Sequence, residues 1–174
     1  MSVCALDADV ISYLVKSGQS ATLRLLVPPP KMLVTDTVWK ECADLRSGGT
    51  AIDASERVAL MSGWATKATI LTPGGPESGT AAALLAQGDL EEGEVSILAW
   101  AIHHPDVIPV LHERQAILRA VEELPERNVL SFHGFLGLLR KQGLNATVAG
   151  SISKWYCSKL TGKNGSRPKA PQWW

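Results

Sequence analysis

The chain has 174 residues, of which 45% are hydrophobic and 20% charged. That size and composition suit one domain with its own core and exclude a chain disordered throughout. Lys and Arg number 17 against 17 Asp and Glu, so no overall cationic coat is present to bind nucleic acid without a specific site.

In chain order, Val3–Leu6 reads as a compact apolar strand, and Ala8–Lys16 carries Val10, Ile11, Leu14 and Val15 at helical spacing. Ser20–Val27 reads as a second short helix, stopped by Pro28-Pro29-Pro30. Met32–Val34 is the next strand. Thr35 or Asp36 then caps a helix running to about Leu45, where Gly48-Gly49 turns the chain. Ala54–Ala65 is predicted helical and Thr69–Leu71 is predicted as a short strand, ahead of the turn Pro73-Gly74-Gly75-Pro76. Helices follow at Ser78–Ala86 and Glu92–His103, a strand at Val107–Leu111, a helix at Glu113–Glu123 and a last strand at Asn128–Ser131. Phe132–Gln142 and Ala146–Lys159 close the body as helices. One domain over residues 1–160 is expected, with a basic, flexible tail over 161–174. Residues 151–174 hold Lys154, Lys159, Lys163, Arg167 and Lys169 and no acid, and the chain ends on Trp173 and Trp174. Docking of these two rings on the body or on a neighbouring chain is favoured over stacking on bases.

No apolar run reaches the roughly 18 residues of a spanning helix. Asp7 and Asp9 break the N-terminal apolar run, so no signal peptide is expected. Cys4, Cys42 and Cys157 are odd in number and lack CxxC spacing, which points to a reduced, cytoplasmic protein.

Strands alternating with helices predict an α/β fold with a mainly parallel sheet and helices on both faces. Such sheets place their sites at the C-terminal ends of strands. Asp7 and Asp9 directly follow the first strand, Asp36 follows the second, and Glu113 follows Val107–Leu111. Glu41 lies on the helix leaving the second strand, and Glu94 at the start of Glu92–His103. Each acid alone has a bland reading as a helix cap, a complement to the helix dipole or a solvated surface charge. Converged in one cleft, they would repel one another until a divalent cation relieved them. A carboxylate cluster suits Mg²⁺ or Mn²⁺, and such ions serve phosphodiester hydrolysis.

The ordered segments Leu6-Asp7-Ala8-Asp9-Val10-Ile11, Val38-Trp39-Lys40-Glu41, Gly93-Glu94-Val95-Ser96-Ile97 and Val110-Leu111-His112-Glu113-Arg114 resemble the PIN-domain nucleases. Phe135 to Leu144 resembles that family's closing helix, so the resemblance spans residues 3–145. It implies a three-layer α/β/α sandwich with a mainly parallel sheet and Mg²⁺- or Mn²⁺-dependent cleavage of RNA. It also implies a homodimer and, as in the bacterial toxin members, an antitoxin partner. By position, Asp7, Glu41, Glu94 and Glu113 match the family's catalytic acids, with Asp7, Glu94 and Glu113 as metal ligands. Asp9 matches a supporting residue, and Asp36 is a cap with an outside chance of supporting the site. The chain departs from the pattern at Glu113, one methylene longer than the usual Asp, and at His112, which replaces a polar or acidic residue.

Lys40 and Arg114 neighbour Glu41 and Glu113 and are candidates to hold phosphates, with ordinary surface charge as the alternative. His103-His104 suit a helix C-terminus, and His112 is expected to be structural or supporting. No HExxH, paired Cys/His spacing, GxxxxGK[ST] or GxSxG motif occurs, and no GxGxxG follows the first strand, which weakens zinc, P-loop, hydrolase and dinucleotide chemistry. The leading expectation is a metal-dependent ribonuclease. The alternative is a PIN-like module that binds nucleic acid or protein without efficient catalysis.

Overall fold

The computed structural model describes residues 3–26, 31–44, 51–68, 75–125 and 129–160. Five parallel strands form one sheet, β1 (Val3–Leu6), β2 (Met32–Thr35), β3 (Ala65–Ala68), β4 (Val107–Leu111) and β5 (Leu130–Ser131), in the order β3-β2-β1-β4-β5. The continuous apolar runs of β1 and β2 follow from burial on both faces, as central parallel strands require. Pro109 is tolerated in β4 because its nitrogen faces β5, and β5 pairs with β4 only from Val110 onward.

Between these strands run α1 (Ala8–Leu14), α2 (Ser20–Arg24), α3 (Asp36–Ala43), α4 (Ala51–Trp64), α5 (Pro76–Leu85), α6 (Glu92–His103) and α7 (Arg114–Glu123). Two further helices, α8 (Phe132–Lys141) and α9 (Ala146–Leu160), close the chain. Helices α1, α3 and α4 pack on one another, while α5 packs on α6 and α6 on α7. Strand order runs outward from β1 in both directions, so right-handed crossovers place these groups on opposite faces. The result is the expected three-layer α/β/α sandwich. Its fully buried centre includes Val10, Leu14, Val34, Val38, Ile97, Val110, Phe132, Phe135 and Leu139.

Two elements differ from expectation. The third strand is Ala65–Ala68, four residues earlier than the predicted Thr69–Leu71, which lies outside the described residues. Pairing with β2, Met32 opposite Ala65 through Thr35 opposite Ala68, overrides the weak strand propensity of Ala-Thr-Lys-Ala. The helix predicted over Ala8–Lys16 leaves the α-helical path at Leu14 and turns through a kink over Val15–Gln19 into α2. Gly18 has φ +73° within that turn, a conformation open to glycine at little cost. The tail over 161–174 lies outside the described residues. Cys4, Cys42 and Cys157 are free thiols. Among the described residues no helix is long and apolar enough to cross a membrane.

The helices after β1 and β4 leave in opposite directions along the sheet. The crevice between the C-terminal ends of β1 and β4 is therefore the topological switch point, where open parallel sheets bind ligands. Asp7 follows β1 there, and His112 and Glu113 follow β4.

Candidate functional site

Asp7 sits at the N-cap of α1, where its Oδ1 accepts from the Ala8 amide at 2.8 Å. Its own amide donates to the Val110 carbonyl at 3.2 Å, tying the end of β1 to β4. Glu94, in the first turn of α6, accepts from the Glu91 amide at 3.1 Å. The capping roles expected of isolated acids are therefore real, and each leaves carboxylate lone pairs to spare. Glu113 occupies the N-cap of α7 but makes no capping hydrogen bond, and its side chain stays exposed. Glu41 is half-buried on α3.

These acids converge. A cavity of about 40 Å³ is lined by Asp7, Asp9, Glu41, Glu91, Glu94 and Glu113 together with Gly93. No base stands among its described lining residues. A water-sized occupant needs roughly 10–15 Å³, so there is room for an ion with a water ligand. Asp7 and Glu94 are each only 6% exposed.

The electrostatics follow from this crowding. Burial first, then the charges of Asp9 and Glu94, hold the Asp7 carboxyl well above its ordinary value of 3.8, against the Ala8 amide. Burial also raises Glu94, aided by Glu91, Glu113 and Asp9 and opposed by the Glu91 amide. Glu41 is raised by burial and by Asp9 and Glu91, with Arg57 opposing. A divalent cation held there would offset all three at once, and hard oxygen donors suit Mg²⁺ or Mn²⁺.

Gly93 makes the convergence possible. A Cβ at this position would stand 3.0 Å from Glu41 Oε2 and 3.7 Å from Asp7 Oδ1. Gly93→Ala is accordingly expected to fold with wild-type stability while losing about tenfold in Mn²⁺ affinity, as changes just outside a metal's ligands typically do. Thermal shift against Mn²⁺ concentration checks this; unchanged affinity would remove Gly93 from the site.

A buried hydroxyl pair sets the two acid-bearing helices relative to one another. Thr35 and Ser96 lie 2.7 Å apart, Thr35 Oγ1 accepts from the Val38 amide at the start of α3, and Ser96 donates to the Gly93 carbonyl in α6.

The cavity thus brings together Asp7, Asp9, Glu41, Glu94 and Glu113 of the expected set. Asp36 does not line it: Thr35 is the N-cap of α3, and Asp36 accepts from the Thr37 amide at 3.0 Å. Lys40 is exposed on α3 outside the lining. Arg114 lies in an adjoining open groove of about 550 Å³, shared with Asp89, Glu113 and Arg119. Arg119 is ion-paired with Glu122 and Glu123 and bonded to Gln87. Sequence reasoning missed Glu91, whose signal was its place three residues before Glu94, the spacing of a capping box. It also missed Tyr13 and Tyr156, which flank His112 at 3.4 and 2.8 Å. Neither a protein-family model nor a curated protein matches the chain.

Proposed function

We propose that this protein is a Mg²⁺- or Mn²⁺-dependent ribonuclease of the PIN-like kind. The observation that carries the reading is the six-carboxylate cavity at the sheet's switch point, without a base among its described lining residues. The order of the acids along the chain, similar to that of the PIN nucleases, supports RNA as the substrate.

Asp7, Glu94 and Glu113 would hold the ion, with Glu41 and Asp9 completing the charge around it. When bound, such an ion supplies Lewis acidity at the phosphodiester and a water acidic enough to attack it near neutral pH. Asp7 and Glu94 are oriented by the Ala8 and Glu91 amides, so little side-chain freedom is left to lose. Gly93 keeps the cavity open. Glu113 stands where the cavity meets the open groove, so the groove is the path for the RNA strand and Arg114 is the base placed to meet its phosphates. A homodimer and an antitoxin partner belong to the same reading and are tested by sedimentation and co-purification.

The test is cleavage of end-labelled single-stranded RNA with Mn²⁺, with Mg²⁺ and with chelator, alongside thermal melts. Cleavage that needs the ion and leaves 5′-phosphate and 3′-hydroxyl ends is expected. The ion at a hundredfold excess over Kd adds about 2.7 kcal/mol of stability, roughly 5–11 °C in Tm for a chain of this size. Ion binding with RNA binding but no cleavage would favour the non-catalytic binding module. No ion binding at all overturns the reading.

A further inference from the structure

The acidic cavity continues on one side into a group that is not purely acidic. One carboxylate oxygen each from Asp9 and Glu113 and one ring nitrogen of His112 all lie within 4.8 Å of one another. Asp9 stands in the first turn of α1, and His112 and Glu113 form the turn between β4 and α7, so two neighbouring strand ends supply the set.

The imidazole is held as metal-bound imidazoles are held. Its Nδ1 lies 2.8 Å from the Tyr156 hydroxyl, while Nε2 lies at the long distance of 3.4 Å from the Tyr13 hydroxyl. A metal-ligating histidine characteristically spends its other ring nitrogen on a hydrogen bond that fixes its tautomer and orientation. Tyr156 is itself immobilised, 4% exposed and stacked on Phe132 with centroids 4.2 Å apart. Tyr13 lies one helical turn beyond Asp9 on α1 and packs against His112 with centroids 4.7 Å apart. Aromatic packing from α1, α8 and α9 therefore fixes the ring's position.

We infer that His112 supplies a nitrogen ligand from Nε2, making Asp9, His112 and Glu113 a mixed nitrogen–oxygen site for a first-row transition dication such as Mn²⁺ in preference to Mg²⁺. The inference deepens the proposed function and rests on it, since Glu113 is shared with the carboxylate cavity. Its physical basis is ligand type. Mg²⁺ keeps to oxygen donors and holds its waters, whereas an added imidazole nitrogen favours first-row transition dications, least strongly Mn²⁺ among them but still over Mg²⁺. Tyr156 is then a positioning residue that accepts from Nδ1–H, and an ion at Nε2 replaces the long Tyr13 contact there.

The experiment titrates Mn²⁺ alone and Mg²⁺ alone into wild type, His112→Gln, Tyr156→Phe and Asp7→Asn, using calorimetry and electron spin echo spectroscopy of bound Mn²⁺. Wild type is expected to bind Mn²⁺ more tightly than Mg²⁺ and to show nitrogen modulation from a directly bound imidazole. His112→Gln loses that modulation and about 10–100-fold in Mn²⁺ affinity, with Mg²⁺ affinity within twofold of wild type. Tyr156→Phe keeps the nitrogen signal, alters its coupling and weakens Mn²⁺ binding by a smaller factor. Mn²⁺ bound without nitrogen modulation, or equal losses for the two ions in His112→Gln, overturns the imidazole ligand. If that binding also vanishes in Asp7→Asn, the carboxylate site survives the failure. No binding of either ion by wild type overturns both.

Discussion

Asp7→Asn is expected to lower the proposed ion-dependent RNA cleavage by about a hundredfold or more and to leave the fold as stable as wild type or more so. The two halves of this outcome have one cause. Asp7 is buried at the end of β1 beside Asp9, Glu94 and Glu41, so its charge is costly in the metal-free protein. Asn keeps the N-cap, because its side-chain oxygen accepts from the Ala8 amide as the carboxylate does. It removes the charge that would hold the ion.

The pH dependence has a definite sign. Above 3.8 the unfolded chain has released the Asp7 proton, while the folded protein retains it up to a higher pH. The unfolded state then binds fewer protons, so stability due to Asp7 falls as pH rises from about 3.8 through the folded value and is constant beyond it. Asn at this position has no such loss. The stability advantage of Asp7→Asn therefore opens above about pH 4 and levels off once wild-type Asp7 is ionised. Burial lowers His133, which acts in the opposite sense, but it is present in both proteins and cancels in the difference. Denaturant melts across pH 3.5–8 (roughly, spanning the linkage window) in chelator measure this gap. Wild-type cleavage by the variant, or a gap that closes toward neutral pH, removes Asp7 from its assigned place.

Arg57→Ala is expected to cost about 3 kcal/mol, a fall of roughly 6–12 °C in Tm. Arg57 lies on α4, 1% exposed, and its Nε donates to the Cys42 carbonyl at 2.8 Å while Nη2 approaches the Asp44 carbonyl at 3.5 Å. Those carbonyls belong to the last turn of α3 and its C-cap, which have no partners within the helix. The guanidinium thus closes the end of α3 and sets a positive charge near Glu41, restraining the rise of its carboxyl. Alanine leaves the buried Cys42 carbonyl without this donor and empties the volume of a long side chain. Arg57→Lys recovers only part of the loss, because an ammonium cannot reproduce the planar fork. A loss below about 1 kcal/mol in urea denaturation would show that water replaces the guanidinium.

Much of this architecture is legible in the residues. The apolar strands and the amphipathic helices between them determine an α/β sandwich, since a parallel sheet with buried faces needs helices on both. Strand ends then nominate Asp7, Asp9 and Glu113, and the helices that leave them nominate Glu41 and Glu94. Asp36 too follows a strand and could cap a helix, which leaves it an outside chance of supporting the site. The difference lies in sheet order: β1 borders the switch point and β2 does not. Strand β3 is described from Ala65 to Ala68, ahead of the Thr69–Leu71 that strand propensity favours, because an edge strand is chosen by its pairing with β2 more than by its own side chains.

By itself, then, the sequence determined the elements, their alternation and the acids at their ends, because hydrophobic period and capping chemistry are local. Tertiary structure alone decided which acids meet, that Gly93 leaves room between Glu41 and Asp7, and that Tyr156, over forty residues beyond His112, orients its ring. Those contacts join distant segments, so they exist only once strand order and crossover direction have folded β1, α3, α6, β4 and α9 around one crevice.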